Sequence, residues 1–210
     1  NGKVAIVPGK GDGTLDVTAI KSVSGLKQPM SLEASEISGD MKADLVVAGY
    51  GDGTVSVLLG KGDGSFQDPA AVAVEANPLY VGLFDVNGDK KADLVTANAG
   101  AGTVSIALGK GDGSFNASTA IATGRGPNSV ASGDWNGDGI VDLAVANYDD
   151  GVVSVHLGKG DGSFPTSVKA TAGPGLFAVA ADELTGDKKP DVAVVSRTLG
   201  KVLILPNQAQ

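Results

Sequence analysis

The chain has no cysteine and only one histidine, His156, among its 210 residues. The absence of cysteine excludes disulfides, iron–sulfur clusters, thiolate zinc sites and cysteine nucleophiles. A single histidine also removes most histidine-based metal binding and acid–base catalysis. No apolar run approaches the roughly 20 residues that a membrane helix requires. These absences leave few of the common enzyme chemistries and predict no membrane insertion.

Positive charge is scarce as well. Lys and Arg total 16 against 24 Asp and Glu, which gives a formal net charge of −8, and no long basic segment is present. This balance argues against nucleic acid and anionic membranes as partners. The sequence has no charged and then apolar leader and starts at Asn1, so we interpret it as a mature form or an excised segment.

Glycine, in contrast, is abundant, with 32 residues, and apolar residues make up 42% of the chain. Glycine supplies the positive φ angles of tight turns, so this composition is typical of many short strands joined by turns. It does not suit a helical bundle.

Two motifs recur with one period. Nine-residue acidic segments start at residues 36, 85, 134 and 183, a constant step of 49 residues. Between them the motif Gly-Lys-Gly-Asp-Gly-Ser/Thr-Phe/Leu starts at Gly9, Gly60, Gly109 and Gly158. Two independent motifs with a common period indicate a repeat protein.

The residues between these motifs predict four short strands in each repeat. Small, β-branched and apolar runs such as Leu143-Ala-Val-Ala are typical of strands that are buried on both faces. Repeats of four antiparallel strands predict an all-β fold, a β-propeller with four-stranded blades and about four repeats in one domain, residues 1–210. The predicted units are a partial blade 1–25, repeats 26–76, 77–125 and 126–172, and a partial blade 173–210.

The ends of the chain leave two alternatives open. The prediction totals 17 strands, one more than four full blades require. Either the N-terminal strands complete the last blade of a ring and remove an exposed sheet edge, or the chain is a piece of a longer array.

The acidic segments predict calcium sites. Oxygen ligands fall at loop positions 1, 3, 5 and 9, with a backbone carbonyl at position 7, which is the alternating pattern that Ca²⁺ favours. Mg²⁺ suits such a cage poorly, and zinc and copper lack ligands. The predicted ligands of up to four Ca²⁺ are, loop by loop, Glu36, Ser38, Asp40, Lys42 and Asp44; Asp85, Asn87, Asp89, Lys91 and Asp93; Asp134, Asn136, Asp138, Ile140 and Asp142; and Glu183, Thr185, Asp187, Lys189 and Asp191.

An EF-hand is excluded, because its loop needs a ligand at position 12, where three of the four residues are apolar, and because the following residues predict a strand.

With these loops the chain resembles the FG-GAP/VCBS repeats of integrin α-subunit propellers and bacterial secreted proteins. The resemblance covers essentially the whole chain and implies a calcium loop between the first two strands of each blade. Glu36 and Glu183 depart from the preferred Asp, and only the third loop has Gly at position 6. We therefore expect the second and third loops to bind best.

Several other residues receive structural predictions. Asp12, Asp63, Asp112 and Asp161 are expected to be turn residues, since the motif lacks the ending of a phosphate-binding loop. The aromatic Phe66, Phe115 and Phe164, in register with Leu15, are expected between blades, Trp135 between a loop and a blade, and His156 on an outer strand face. Positions that vary between repeats are candidates for recognition: Tyr50, Ala99, Tyr148 and Arg197, with Asn98, Asn147, Asp149, Tyr80 and Asn128 nearby.

The function predicted from these features is a non-enzymatic, calcium-binding propeller that acts as an extracellular, cell-surface or periplasmic adhesion scaffold. The alternative is a propeller lectin that binds carbohydrate between blades. The expected ligand is a protein or a carbohydrate, and self-association that completes a larger ring is a further expectation.

Overall fold

The computed structural model describes residues 2–208, which form 17 β-strands and no helix. The number of strands agrees with the sequence analysis; residues 1, 209 and 210 of the predicted domain lie outside the described residues. No helix suited to crossing a membrane occurs in this part of the chain. The strands are β1 (Gly2–Ile6), β2 (Lys21–Leu26), β3 (Pro29–Ser35), β4 (Asp44–Gly49), β5 (Thr54–Leu58), β6 (Ala70–Ala73), β7 (Pro78–Phe84), β8 (Asp93–Asn98), β9 (Thr103–Ala107), β10 (Thr119–Ala122), β11 (Pro127–Gly133), β12 (Asp142–Asn147), β13 (Val152–Leu157), β14 (Thr166–Thr171), β15 (Leu176–Asp182), β16 (Asp191–Ser196) and β17 (Lys201–Leu205).

The strands form five antiparallel sheets in chain order. Sheet 1 contains β1 and β2, sheets 2, 3 and 4 contain four strands each (β3–β6, β7–β10 and β11–β14), and sheet 5 contains β15–β17. Each four-stranded sheet is a meander, in which every strand pairs with the next one along the chain. The second strand of a sheet is buried on both faces, as β8 and β12 show along their whole length. This burial explains the continuous apolar runs in the sequence.

The hydrophobic core lies between neighbouring sheets. Separate clusters of buried side chains join sheet 1 to 2, 2 to 3, 3 to 4 and 4 to 5. Phe66, Phe115 and Phe164 lie in the first three of these clusters, which confirms their predicted place between sheets. Leu15, in the same register, is instead 59% exposed, since no sheet precedes β1 in the described residues. The first strands β3, β7, β11 and β15 lie side by side along the inner edge of the assembly.

The described residues form no closed ring. β1 and β2 pair with each other and not with β15–β17. Of the two alternatives left open for the chain ends, the one in which the N-terminal strands complete the last sheet is therefore not what this structure has. The physical reason is register: β17 already occupies the third-strand position beside β16, and the matching segment Gly2-Lys3-Val4-Ala5-Ile6 would need that same position.

The glycine-rich turns after the third strands are closed by their own side chains, as predicted. Asp112 Oδ1 accepts hydrogen bonds from Ser114 N at 2.9 Å and Ser114 Oγ at 2.6 Å, and Asp63 and Asp161 bond Ser65 and Ser163 in the same way. The first turn residue must be glycine, because a Cβ on Gly109 would lie 2.2 Å from the carbonyl oxygen of Ala92. The turns that start at Gly60, Gly109 and Gly158 thus pack directly against the ends of the acidic loops.

Candidate functional site

The aspartate at loop position 9 connects each acidic loop to the rest of its sheet. Asp142 Oδ2 accepts a hydrogen bond from Trp135 N at 2.9 Å, and its Oδ1 accepts one from Gly158 N at 2.8 Å. The equivalent aspartates make the same pair of bonds, and all four side chains are buried: Asp44, Asp93, Asp142 and Asp191. Position 9 therefore places a fixed carboxylate at the base of every loop.

The acidic residue at position 1 organises the top of the loop. Asp134 Oδ1 accepts hydrogen bonds from Gly137 N at 2.7 Å and Asp138 N at 3.1 Å, while Oδ2 accepts one from Gly139 N at 2.8 Å. Asp85 repeats this pattern in the second loop. Glu36 and Glu183 accept loop amides through Oε1 in the first and fourth loops.

Positions 3 and 5 complete the same constellation. Asn136 Oδ1 accepts a hydrogen bond from Asp138 N at 3.0 Å, and Asp138 Oδ1 accepts one from Ile140 N at 2.8 Å. The second loop has the equivalent bonds through Asn87 and Asp89. In the second and third loops, the side chains at positions 1, 3 and 5 thus accept hydrogen bonds from amides of one turn, in the order in which the sequence gives them.

Burial and like charge destabilise the ionised carboxylates at the base of two loops. Burial raises the pKa of Asp93, and the charges of Asp89 and Asp85 raise it further. Burial likewise raises the pKa of Asp142, with Asp138 and Asp134 contributing. A cation bound among three such carboxylates would relieve this repulsion.

The carboxylates of the fourth loop have the spacing that a calcium ion needs. One carboxylate oxygen from each of Glu183, Asp187 and Asp191 lies within 4.8 Å of the others, the single group of this kind found in residues 2–208. Because Ca–O distances are about 2.4 Å, oxygens bound to one ion lie at most about 4.8 Å apart. The residues present thus fit calcium. Its binding to the four loops, and the expected ranking of the loops, stay predictions.

Lysine side chains distinguish the first two loops from the third. Lys42 Nζ lies 2.9 Å from Asp40 Oδ2, and Lys91 Nζ lies 3.6 Å from Asp89 Oδ2. The third loop has Ile140 at this position, so no ammonium group of its own competes for Asp138. The net negative charge that would attract a cation is therefore greatest in the third loop.

A second candidate site, the central groove, follows the inner edge of the sheets. It has a volume of about 550 Å³. Each of the first strands β3, β7, β11 and β15 contributes residues near its start, and the segments after the second strands contribute the rest. The residues that matter below are Met30, Leu79, Tyr80, Asn128, Tyr148, Asp149, Phe177 and Arg197.

The backbone of the groove's lip is uniform, whereas its side chains vary. The residue after each second strand donates its amide to the carbonyl of a residue just before the first strand, at 3.1, 3.0, 2.9 and 2.9 Å for Tyr50, Ala99, Tyr148 and Arg197. These four positions are therefore structurally equivalent but carry different chemistry. Arg197 stacks on Phe177, with its Cζ 4.9 Å from the ring centroid. Burial, with Glu33 adding, raises the pKa of Tyr80 to about 12, which keeps its hydroxyl protonated.

Three residues of the central groove were missed by the sequence analysis. Met30, Leu79 and Phe177 lie at register shifts in the first strands, between Pro29 and Ser31, Pro78 and Tyr80, and Leu176 and Ala178. Such bulges redirect a side chain out of the regular alternation. The sequence does have an apolar residue at the second position of β3, β7 and β15. Strand periodicity alone does not predict that these side chains face the groove.

Two predicted recognition residues are structural instead. Asn98 is fully buried and donates to Ser105 Oγ at 2.8 Å, and Asn147 is fully buried and accepts from Thr123 Oγ1 at 3.0 Å. Their amides satisfy hydroxyl groups inside the sheets, so they do not reach the lip.

His156 is also buried, and not on an outer face, with Nε2 3.1 Å from Ser154 Oγ. Trp135, predicted between a loop and a blade, lies in the cluster between sheets 4 and 5.

Known structures share the fold. The chain resembles BBS1N, solved in complex with ARL6DN, at 17% identity and a TM-score of 0.55, over 85% of this chain and 48% of that one. It also resembles an Agrocybe aegerita lectin that recognises non-reducing terminal N-acetylglucosamine, at 20% identity and a TM-score of 0.53, over 83% of this chain and 51% of that one. The chain thus spans about half the length of these structures. Comparison with curated proteins gave no match.

A family model described as an FG-GAP-like repeat matches residues 36–96, 85–145 and 134–194. The family model counts three repeats, and not about four as the sequence analysis expects, because each match extends from one acidic loop to beyond the next. The matches overlap and together span most of the chain. The chain belongs to the FG-GAP-like repeat family.

Proposed function

We propose that the chain is a non-enzymatic binding module of the propeller type that recognises a protein or carbohydrate ligand in its central groove. The observation that carries this proposal is the contrast between the uniform backbone of the lip and its varied side chains. The stability of the scaffold does not require tyrosine, alanine or arginine at these equivalent positions. We therefore attribute the differences between these side chains to ligand recognition. Loops held on a rigid scaffold are the usual place for recognition residues.

The absence of enzymatic activity is part of the proposal. The one histidine is buried, and burial lowers its pKa to about 4, so it is neutral and enclosed at physiological pH. The acidic groups cluster in the four loops, where twelve of the 24 carboxylates lie. These groups serve loop closure and, in this proposal, calcium binding.

Calcium acts in this proposal as a stabiliser of the four loops, and the predicted loop ligands would hold it. Its positive charge would offset the carboxylate repulsion at the base of the loops. Calcium sites of modest affinity are typical of extracellular modules, and a place outside the cytoplasm is part of this proposal. A ligand that binds only the folded state adds about 2.7 kcal/mol when its concentration is 100 times Kd.

Thermal unfolding with EDTA or millimolar calcium tests the stabilising role. We expect calcium to raise the Tm, and the double variant Asp134→Asn with Asp138→Asn to bind one ion fewer by calorimetry. Asp68→Asn, an exposed acid outside the loops, is the matched control and should bind as the wild type does. A melting curve unchanged by EDTA would show that the calcium assignment is wrong.

A carbohydrate is the second candidate ligand, favoured by the combination of aromatic rings with hydrogen-bonding groups. Tyr80, Tyr148 and Phe177 supply the rings, and Asn128, Asp149 and Arg197 supply donors and acceptors. Aromatic faces pack on the apolar faces of sugars, while charged and amide groups bond the hydroxyls. The resemblance to a lectin supports this candidate.

A glycan array followed by calorimetry separates the two ligand classes. We expect Tyr148→Ala and Arg197→Ala to abolish binding of whichever ligand is found. Val202→Ala is the control, because Val202 is exposed on β17 and does not line the groove. Equal loss of binding in the Val202 variant would argue against the central groove.

A further inference from the structure

The two arginines of the chain have different surroundings. Arg125 is neutralised within the protein, with its Nε 2.6 Å from Asp150 Oδ1. Arg197 lines the central groove and forms no ion pair with any carboxylate of residues 2–208. It is also the one cationic side chain among the described residues that line this groove. Arg197 therefore has an uncommitted positive charge at the place where the proposed ligand binds.

The guanidinium of Arg197 is held in position before any ligand arrives. Its Cζ lies 4.9 Å from the centroid of the Phe177 ring. The backbone amide of Arg197 donates to the Gly175 carbonyl at 2.9 Å, and the hydroxyl of the preceding Ser196 donates to the Pro174 carbonyl at 2.6 Å. Stacking occupies the face of a guanidinium and leaves its in-plane N–H donors free for a carboxylate. Little side-chain freedom is then lost when a carboxylate binds.

The surface beside this cation is apolar and partly exposed. Met30 is 56% exposed and Phe177 is 43% exposed, and Leu79 lines the same groove. Neighbouring apolar side chains that stay exposed in a groove indicate a binding surface. Aliphatic groups such as those of Met30 and Leu79 pack well against an apolar side chain and do not satisfy sugar hydroxyls. The lining next to Arg197 thus favours a carboxylate joined to an apolar group.

The charges around the groove limit the ligand to one carboxylate. Asp149 also lines the groove, so a second negative charge on the ligand would meet repulsion there. The chain as a whole carries a formal net charge of −8, which opposes the approach of polyanions. One short-range contact with a guanidinium suits a single carboxylate, because the two groups pair through two parallel hydrogen bonds.

We propose that the central groove binds the carboxyl-terminal residue of a polypeptide whose last side chain is apolar, an inference that rests on the proposed function of this groove. The α-carboxylate and the last side chain leave the same Cα atom. The carboxylate therefore pairs with Arg197 while the side chain packs on Phe177 and Met30. Capture of a terminal carboxylate is a recurring mode of peptide recognition.

Heteronuclear NMR of the isotope-labelled chain with three peptides tests the proposal. The probe is acetyl-Ala-Ala-Leu-Phe with a free carboxylate, and its matched control is the same peptide with a terminal amide. The third peptide, acetyl-Ala-Glu-Leu-Phe amide, carries its carboxylate on an internal side chain. We expect the free acid to shift the Nε–H signal of Arg197 and to bind at least about tenfold more tightly than either amide.

Two variants with the same change of charge locate the contact. Arg197→Gln should weaken binding of the free acid by about ten- to hundredfold and leave the Tm unchanged. Lys201→Gln, an exposed cation of β17 that does not line the groove, should bind as the wild type does. The proposal is overturned if no peptide shifts the Arg197 signal, if an amide binds as tightly as the free acid, or if Arg197→Gln has no effect.

The glycan array separates failure of this inference from failure of the proposed function. If the peptides do not bind but a neutral glycan does, and Tyr148→Ala abolishes its binding, the groove is a recognition site and only the terminal carboxylate is wrong. If neither the peptides nor any glycan shifts the signals of groove residues, both the inference and the carbohydrate candidate fail.

Discussion

The interface between sheets 3 and 4 and the interface between sheets 4 and 5 are built on the same repeat but filled differently. In the first, Phe164 from a glycine-rich turn packs in one cluster with Val86, whereas in the second Trp135 stands in place of Val86 and packs with Leu176 and Val194. The difference shows that a repeat determines where a core lies, while individual residues determine which side chains fill it.

Removing the Phe164 ring should produce the largest effect on stability. Phe164→Ala would leave a cavity at the interface between sheets 3 and 4, and we expect the free energy of unfolding to fall by about 3–5 kcal/mol. Urea denaturation measures this loss. Phe177→Ala, an exposed aromatic of the central groove, is the control and should change stability much less. A loss below about 1 kcal/mol for Phe164→Ala would mean that the ring is not part of the cooperative core.

The next largest effect is expected at the loop base. Asp142→Ala leaves the amides of Trp135 and Gly158 without their acceptor, at about 1–3 kcal/mol for each buried donor. Denaturation in EDTA measures the structural part alone. Asp191→Ala should cost less, because its bonds from Leu184 N and Asn207 N are both part-buried, whereas the bond from Trp135 N to Asp142 is buried. Equal losses would show that the two interfaces depend on their loops to the same extent.

The pH dependence should separate sheet 4 from sheet 5. Burial, with Lys169 adding, lowers the pKa of His156 from 6.5 to about 4, and the equivalent residue in sheet 5 is Leu205. Between these values the unfolded chain binds a proton that the folded chain excludes, so stability is full above about pH 6.5 and falls as the pH drops towards about 4. The expected loss is up to about 3 kcal/mol.

Denaturation curves at several pH values measure this dependence. His156→Leu should remove the part that falls between about pH 6.5 and 4. The same slope in the variant would assign the loss to other groups.

The smallest effect is expected from backbone strain in the loops above the two interfaces. Lys90, at position 6 of the second loop, has φ 64°, and Gly139 takes the same position in the third loop with φ 81°. A left-handed backbone conformation costs a non-glycine residue about 1 kcal/mol. Lys90→Gly should therefore stabilise by about 1 kcal/mol and Gly139→Lys should destabilise by a similar amount, as measured by Tm. Opposite signs would show that charge, and not strain, dominates at this position.

Much of this architecture could be predicted because the repeat supplies independent copies of each observation. One acidic loop between strands is ambiguous, but four at a constant step define strand number, loop position and the phenylalanine register. The position-9 aspartates are an example: the sequence placed them in the loops, and the structure shows that they also connect the loops to the glycine-rich turns.

Prediction failed where one residue's environment depends on its neighbours in space. Asn98 and Asn147 are polar residues of a type common at exposed positions, yet each is buried and hydrogen-bonded to a neighbouring hydroxyl group. Met30 and Phe177 reach the central groove because a bulge redirects them, and a bulge depends on pairing with the next strand. Neither effect is visible in a single segment.

The sequence by itself determined an all-β repeat protein, its four acidic loops and the residues that gather in each of them. These features depend on short-range order, namely strand alternation, turn chemistry and spacing, which the sequence encodes locally. Only the tertiary structure decided which side chains line the central groove and that the N-terminal strands form a sheet of their own. These depend on packing between sheets about 50 residues apart along the chain, where shape and burial, and not residue type, select the outcome.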